Sequence, residues 1–167
     1  MPRNRQIRIA REDDVPRLIE VARRSWLSAF AQNAPFAMIS YWVRADREAS
    51  WYPRYWPDML VLEEDGVVVG LVQPQAAEIN GLWVHPDWQG TGAGTLLLRA
   101  GEEVVRRAGH PVAWLTCSAF NPKAFEFYRG RGYVETGRDR VLHTGGFLYE
   151  DIRMERPLDP APARAGA

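Results

Sequence analysis

The chain has 167 residues, of which 46% are hydrophobic and 25% are charged, so its size and composition predict one compact globular domain rather than a disordered polypeptide. Its 21 basic residues balance its 21 acidic residues, which argues against a dedicated nucleic-acid-binding protein, because such proteins usually carry a basic excess. The single cysteine, Cys117, excludes an intramolecular disulfide and a multi-cysteine metal site, and it suits a reducing cytoplasm.

The sequence also argues against secretion and membrane insertion. Residues 1–6 carry no apolar segment after their charges, unlike a secretory signal. The longest apolar stretch, residues 67–72, is far shorter than the roughly 20 residues that span a bilayer. We therefore predict a cytoplasmic protein with no membrane-embedded part.

Hydrophobic patterning predicts the elements of the N-terminal third. Residues 6–10 alternate and predict a short strand, and the apolar residues that follow from Val15 onward recur at the spacing of an amphipathic helix. Residues 35–50 predict a second helical or irregular segment. Residues 51–57, with the sequence WYPRYWP, contain too much proline for a regular element.

The rest of the chain predicts hairpin strands followed by strand–helix–strand units. Two apolar runs flank Asp65-Gly66, a favoured hairpin turn. The later elements, assigned from periodicity and turn residues, are strands at 78–84, 111–117, 133–140 and 146–154 and helices at 92–108 and 121–129. This order predicts one mixed α/β (α+β) domain over residues 1–156, with a central mixed, mostly antiparallel sheet of about seven strands and about four helices. Residues 157–167 predict a flexible C-terminal tail.

The loop before the helix at 92–108 is the most informative segment. Gly90, Gly92 and Gly94 let backbone N–H groups approach a ligand at the positively polarised start of this helix, which suits a phosphate or pyrophosphate. The third glycine of a dinucleotide fingerprint would fall at Thr95, and the lysine of a P-loop is missing. A glycine-rich turn needed only for strand–helix packing is the alternative interpretation.

Two motifs resemble one known family. Residues 89–94 have the pattern Q-x-x-G-x-G, which resembles the pyrophosphate-binding signature of the GNAT-type, acetyl-CoA-dependent N-acetyltransferases. Residues 82–98, LWVHPDWQGTGAGTLLL, resemble the strand–loop–helix core of that family, and residues 121–133, NPKAFEFYRGRGY, resemble its second landmark. The resemblance covers residues 6–155 and implies the acyl-CoA-binding fold, whose sheet is splayed open between its fourth and fifth strands.

The resemblance implies acetyl-CoA as co-substrate and no metal. The residues expected to bind it lie on the preceding strand, in the loop and at the motif asparagine: Leu82, Trp83, Val84, Gln89, Gly90, Thr91, Gly92, Ala93, Gly94, Thr95 and Asn121. Gly81 predicts a bulge or close backbone approach in that strand, although it could equally make room for a neighbouring side chain. Lys123, Arg129 and Arg99 are equal candidates for contact with a CoA phosphate.

Acetyl transfer requires a deprotonated amine, and an amine of pKa ~10.4 is deprotonated in only about one molecule in 2,500 at pH 7. We hypothesise that Glu78 is the general base, because it stands six residues before Val84, where several members of the resembled family place a glutamate. Partial burial in an apolar strand would raise its pKa. Exposure to solvent or pairing with an arginine is an equally supported alternative. Some family members that acetylate protein N-termini carry a glutamate where this chain has Thr116, so that subclass is not favoured.

Tyr128 is the hypothesised general acid that reprotonates the coenzyme A thiolate, because it follows Asn121 by seven residues, as in the resembled family. Both residues also have a structural interpretation. Tyr128 could be an aromatic residue that packs beside Phe125, and Asn121 could serve only as a helix N-cap. Cys117 lies in an apolar strand and predicts buried core rather than a nucleophile. The three histidines lack metal-ligand spacing.

The segment from residue 26 to residue 56 is rich in aromatic side chains. Nine of the chain's aromatic residues lie there: Trp26, Phe30, Phe36, Tyr41, Trp42, Trp51, Tyr52, Tyr55 and Trp56. In the resembled fold this segment forms part of the acceptor wall, which implies an aromatic-lined pocket for an apolar or cationic amine. Packing on the sheet or a dimer surface is the alternative, and we expect only two or three of the nine to line the pocket.

We therefore predict an N-acetyltransferase that moves an acetyl group from acetyl-CoA to a primary amine of a small molecule or peptide by direct attack. Its expected partners are acetyl-CoA and an amine acceptor, with no nucleic acid, no membrane and a possible homodimer. A non-catalytic acyl-CoA-binding regulatory module on the same fold is the main alternative. A protein that uses the loop for another nucleotide is disfavoured by the missing lysine and by the glycine spacing.

Overall fold

The computed structural model describes residues 4–159, which form one seven-stranded sheet with five α-helices. The strands are β1 (Arg5–Ile9), β2 (Leu60–Glu64), β3 (Val67–Gln75), β4 (Glu78–Val84), β5 (Val112–Ser118), β6 (Val134–His143) and β7 (Phe147–Pro157). The helices are α1 (Val15–Phe30), α2 (Phe36–Ala45), α3 (Arg47–Tyr55), α4 (Ala93–Arg107) and α5 (Pro122–Arg129). The predicted mixed α/β fold is confirmed, with one helix more than expected.

The sheet opens between its fourth and fifth strands. The strand order is β1-β2-β3-β4-β5-β7-β6, and β4 and β5 are its parallel neighbours. These two strands share one residue pair, Glu78 with Trp114, whereas β5 pairs with β7 from Val112 to Ser118. Beyond Glu78 the two strands separate, so the sheet is splayed as the resemblance implies.

Apolar helix faces cover both sides of the sheet. On one side α4 inserts Leu97 and Leu98, which are almost fully buried, into a cluster with residues of β2 to β5 and β7. On the other side α1 contributes Leu18 and Val21, and α3 contributes Tyr52, to a second cluster against β2 and β3. The splayed edge of β4 therefore lies between two packed layers.

Two local signals in the first half of the sheet behave as expected. Asp65 and Gly66 both have positive φ angles, 50° and 83°, as a two-residue type I′ hairpin turn requires. Gln73 of β3 pairs with Gly81 of β4, and the next residue of β3, Pro74, pairs with Ile79. One residue of β4, between Ile79 and Gly81, is therefore extra. This confirms a bulge beside Gly81. A close backbone approach is not its cause, because a Cβ on Gly81 would meet only Trp83 Nε1, at 3.7 Å.

The expectation that residues 51–57 lack regular structure is wrong for most of the segment. Helix α3 continues through Pro53 to Tyr55, and a 3-10 turn follows at Trp56–Asp58. Proline inside a helix costs about 3 kcal/mol. Pro53 lies on the exposed side of α3, whereas Tyr52 is buried in the second cluster, so burial of the apolar face offsets the local cost.

Most of the predicted C-terminal tail, residues 157–167, lies outside the described residues. Within the described part, Pro157 ends β7 and the Leu158 N–H donates to the Pro111 carbonyl at 2.8 Å. No helix within residues 4–159 is long and apolar enough to cross a membrane.

Replacing Gly70 of β3 tests the packing of α4 on the sheet. A Cβ at this position would lie 2.6 Å from Leu97 Cδ1 and 2.9 Å from the Trp83 carbonyl oxygen. We expect Gly70→Ala to lower the free energy of unfolding by about 1–3 kcal/mol, measured by urea denaturation. Gly81→Ala is the matched control in the neighbouring strand, because the added Cβ makes only an ordinary contact there. Equal stability of the two variants would contradict the packing described.

Candidate active site

The gap between β4 and β5 leads into a cavity of about 350 Å³. Its walls come from the end of β4, the glycine-rich loop, α1, the start of α4, and α5: Ser25, Ser28, Ala29, Leu82, Trp83, Val84, Gln89, Gly90, Gly92, Gly94, Thr95, Asn121, Lys123, Ala124, Phe127, Tyr128 and Arg131. Nine of the eleven predicted cofactor-binding residues and Tyr128 are thus brought together. The other two, Thr91 and Ala93, do not line the cavity.

The glycine-rich loop has the conformation that its sequence predicts. Gly90 and Gly92 have φ angles of +74° and +87°, which side chains rarely allow. Gly92 is the N-cap of α4 and has no side chain to occupy the first N–H groups of the helix, which therefore remain available to an anion. A Cβ on Gly94 would lie 3.1 Å from the Phe127 ring, so close packing of α4 on α5 also requires glycine.

Partly buried side chains hold this loop against the edge of the sheet. The Arg5 guanidinium donates to the Thr91 carbonyl oxygen at 2.9 Å and to Thr91 Oγ1 at 3.0 Å, and it forms an ion pair with Glu64. Glu64, 7% exposed, also accepts from Trp88 Nε1 at 2.8 Å. Thr91 Oγ1 donates to the Trp88 carbonyl oxygen at 2.6 Å. Thr91 therefore fixes the loop from outside the cavity, which preorganises the loop for a ligand.

The register of β4 decides which backbone groups face the gap. The His85 N–H donates to the Val69 carbonyl oxygen at 2.9 Å. Because hydrogen-bonded positions recur at every second residue of an antiparallel strand, the backbone groups of Trp83 also point toward β3. Leu82 and Val84 alternate with these positions, and their N–H and C=O groups point away from β3, into the gap. Of the three predicted backbone contributors, Leu82 and Val84 offer polar groups to the cavity, whereas Trp83 offers its side chain.

Two side chains satisfy the carbonyl at the end of β4. The Val84 carbonyl oxygen accepts from Ser25 Oγ at 2.6 Å and from Gln89 Nε2 at 3.1 Å. Lys123 Nζ donates to Gln89 Oε1 at 2.8 Å across the cavity mouth. Sequence reasoning missed Ser25, although a small polar residue on the apolar face of the predicted first helix was a usable signal.

Helix α5 positions the second motif. The Asn121 side chain accepts from the Ala124 N–H at 3.1 Å, so Asn121 is the helix N-cap and also lines the cavity. Tyr128 is 9% exposed, and burial raises the pKa of its phenol well above the usual range. The phenol is therefore protonated at neutral pH. Cys117 is buried beneath it, and burial raises the pKa of the thiol to about 11, in agreement with a core residue.

Two cations lie in the cavity wall. Of the three basic candidates, Lys123 lines the cavity and Arg129 and Arg99 do not. Arg131, which sequence reasoning missed, lies 3.7 Å over the Phe127 ring and donates to Thr95 Oγ1 at 2.6 and 2.9 Å. Arg131 lies within the second motif, residues 121–133, and this position could have identified it as a candidate.

Glu78 lies at the closed end of the gap. It is half-buried. Its side chain and that of Ile79 lie on opposite faces of the sheet, and Ile79 packs under α4. Burial raises the pKa of Glu78, and the charge of Arg153 opposes this shift. Arg153 itself stacks on Trp114 and forms an ion pair with Glu155. Glu78 is not among the residues that line the cavity between β4 and β5 or the aromatic cavity described next.

A second cavity, of about 330 Å³, lies against the sheet face that carries α1 and α3. We call it the aromatic cavity, because eight of its lining residues are aromatic: Trp26, Tyr41, Trp42, Trp51, Tyr52, Trp83, Phe147 and Tyr149. Trp83 also lines the first cavity, so the two adjoin. Five of the nine aromatic residues singled out in the sequence line it, more than the two or three expected.

The hairpin between β6 and β7 closes one side of the aromatic cavity. His143 stacks on Tyr149 at a centroid distance of 3.7 Å, and its Nε2 lies 3.1 Å from Asp151 Oδ2. Burial raises the pKa of Asp151, and the histidine opposes this shift. Within residues 4–159, no group of three or more histidine, cysteine or acidic side chains has a metal-binding arrangement.

Residues 15–133 match the sequence profile of the Acetyltransferase (GNAT) family. The chain belongs to this family. The match includes the glycine-rich loop and the segment from Asn121 to Tyr133, so the resemblance read from these two motifs is confirmed.

Known GNAT proteins share sequence and fold with the chain. An uncharacterised N-acetyltransferase of Methanocaldococcus jannaschii is 28% identical over 111 residues, which cover 57% of the chain and 49% of that protein. The chain thus spans about half the length of this curated relative. A crystal structure described as a GCN5-related N-acetyltransferase, aminotransferase class II, from Rhodopseudomonas palustris has a TM-score of 0.80 and 25% identity, with 95% of this chain and 99% of that chain covered.

Two further solved structures share the GNAT fold and were determined with a ligand. The PaiA N-acetyltransferase of Thermoplasma acidophilum, in complex with coenzyme A, has a TM-score of 0.70 and 23% identity over 93% of this chain and 99% of that chain. A putative acetyltransferase of Salmonella typhimurium with acetyl-CoA has a TM-score of 0.67 and 22% identity over 98% of this chain and 99% of that chain.

Proposed function

We propose that the protein transfers an acetyl group from acetyl-CoA to a primary amine. The observation that carries this proposal is that one cavity contains both a glycine-rich loop at the start of α4 and unpaired backbone groups on the splayed edge of β4. Coenzyme A combines a pyrophosphate with an amide-containing arm, which needs these two kinds of partner. Two fold neighbours with coenzyme A or acetyl-CoA support this assignment.

The cofactor-binding roles follow from this placement. The pyrophosphate would bind the N–H groups of the loop and of the first turn of α4, with Lys123 and Arg131 supplying positive charge. The N–H groups of Leu82 and Val84 would hydrogen-bond the pantetheine arm and the thioester carbonyl. These donors are held by the sheet, which suits them to stabilise charge on the carbonyl oxygen as the amine attacks.

The chemistry removes two protons from the ammonium group and adds one proton to the sulfur. One proton leaves the nitrogen before attack, and the neutral amine nitrogen then attacks the thioester carbonyl carbon. The carbon–sulfur bond breaks, the sulfur leaves as a thiolate, and the nitrogen loses its second proton, which restores the group that protonates the sulfur. We assign Tyr128 as the donor of a proton to this sulfur, because it lines the cavity and its raised pKa keeps it protonated. We assign Glu78 as the acceptor of the ammonium proton. Because Glu78 does not line the cavity, this proton would reach it through water.

A ligand panel tests the proposed function. Thermal unfolding is measured with acetyl-CoA, CoA, ATP and NAD, and release of free thiol is then measured against a panel of amines. We expect both CoA species to raise the Tm, ATP and NAD to leave it unchanged, and at least one amine to release thiol. A ligand at 100 times its Kd stabilises by about 2.7 kcal/mol, so the shift is measurable. No stabilisation by CoA overturns the proposal, and CoA binding without thiol release overturns its catalytic part.

Replacing Tyr128 with phenylalanine tests the proton donor. We expect Tyr128→Phe to lower kcat by about 100-fold, because only the hydroxyl is lost, and to leave the Kd for CoA within about twofold. Tyr55→Phe is the matched control, since Tyr55 lies outside both cavities. Unchanged turnover in Tyr128→Phe would remove the assigned role.

The pH dependence of turnover tests Glu78. The base must be ionised, and burial raises its pKa, so kcat/KM should fall as the pH drops through a value above the usual pKa of about 4.3. We expect Glu78→Gln to lower kcat/KM at neutral pH by about 100-fold and to abolish this acid limb. Glu12→Gln, on the exposed turn before α1, should keep the wild-type profile. An acid limb that persists in Glu78→Gln would assign the base elsewhere.

A further inference from the structure

The aromatic cavity contains a carboxylate with one unpartnered oxygen atom. Glu48 stands in the first turn of α3 and lines the cavity. Its Oε2 atom is buried and has no hydrogen-bond partner within residues 4–159. A buried carboxylate oxygen without a partner is destabilising, and an incoming donor would remove that cost.

The two neighbouring arginines hydrogen-bond to other side chains. Arg23 forms hydrogen bonds to both carboxylate oxygens of Asp46, and Arg47, which also lines the aromatic cavity, donates to Thr144 Oγ1 at 3.3 Å. No ion pair within residues 4–159 includes Glu48. Burial raises the pKa of Glu48, and a hydrogen bond from its own backbone N–H opposes this shift. The charge of Asp46 raises the pKa further, whereas the charges of Arg23 and Arg47 lower it. Neither arginine hydrogen-bonds to Glu48, so its Oε2 atom can accept from a donor that enters the cavity.

The surrounding rings also suit a cation. Trp26 and Trp42 stack face to face at 4.0 Å, and Trp51 and Tyr52 add further aromatic surface close to Glu48 in sequence. Aromatic faces attract ammonium groups, whereas they give no compensation to a desolvated anion. The rings and the unpartnered oxygen of Glu48 thus suit an organic cation with an apolar body, although Arg47 also lines the cavity.

Glu48 and the reaction centre lie on different walls of the cavity. Glu48 belongs to the helical wall, whereas Gly81 and Trp83 belong to β4, and Trp83 also lines the first cavity. An amine that attacks a thioester held along β4 must lie against the sheet wall, so a group bound to Glu48 is a second group of the same molecule.

We propose that the acceptor carries two cationic groups joined by an apolar chain, with Glu48 and the surrounding rings binding the group that does not react. This proposal rests on the proposed function for the identity of the reacting amine. The binding of a cation at Glu48 can be measured without turnover, so the two proposals can fail separately.

The binding test uses 1,5-diaminopentane and the uncharged pentane-1,5-diol, titrated against the full chain while tryptophan fluorescence is recorded. Four tryptophans line the aromatic cavity, so an occupant changes the signal: Trp26, Trp42, Trp51 and Trp83. We expect the diamine to bind about tenfold more tightly than the diol and Glu48→Gln to remove most of this difference, because the variant loses the charged contact and keeps the rings. Equal affinity of diamine and diol in the wild type, or unchanged diamine affinity in Glu48→Gln, overturns the proposal.

The turnover test compares 1,5-diaminopentane with 1-aminopentane, which has the same chain and one cation. In the wild type and in the control Glu12→Gln, kcat/KM should be about tenfold higher for the diamine, whereas Glu48→Gln should turn over both amines equally. Turnover of both amines with equal efficiency in the wild type overturns the proposal and leaves acetyl transfer intact. Diamine binding that depends on Glu48, without thiol release from any amine, supports the cation site and overturns the proposed function. An unchanged Tm of Glu48→Gln confirms that it folds.

Discussion

The separation of β4 from β5 after a single residue pair determines the rest of the site. A complete parallel ladder would use the N–H and C=O groups of Leu82 and Val84 in hydrogen bonds to β5. Because the strands diverge, these groups face a cavity instead, and buried backbone groups need partners. Ser25 and Gln89 supply them for the Val84 carbonyl. The remaining donors are left to a ligand, so the sheet itself forms half of the binding site.

The two cavities on either side of this gap have opposite chemical characters. The first has two cations and the free N–H groups of a helix start, which attract anions. The second combines aromatic faces with a carboxylate that has one unpartnered oxygen, which attract cations, although Arg47 also lines it. Trp83 separates them and belongs to both. Under the proposed function, the anionic acyl donor and the cationic acceptor would occupy separate cavities that meet at Trp83.

Much of the first cavity could be predicted, because its signals are local. Gly90 and Gly92 must adopt positive φ angles, and Asn121 caps the helix that follows it, whatever the rest of the chain does. Ser25 and Arg131 were missed because each is ordinary within its own helix or loop. They become part of the site only when α1 and the end of α5 are brought to β4.

The sequence alone determined the order of the strands along the chain, the Asp65-Gly66 hairpin turn and the conformation of the glycine-rich loop, since these depend on residues within a few positions of one another. Tertiary structure decided what depends on burial and on distant contacts. Burial of Tyr52 keeps α3 helical through Pro53, and packing of the same helix removes water from Glu48. Desolvation depends on every neighbour in space and is not encoded in a short stretch of sequence, so only the folded chain shows where an acidic side chain lacks a partner.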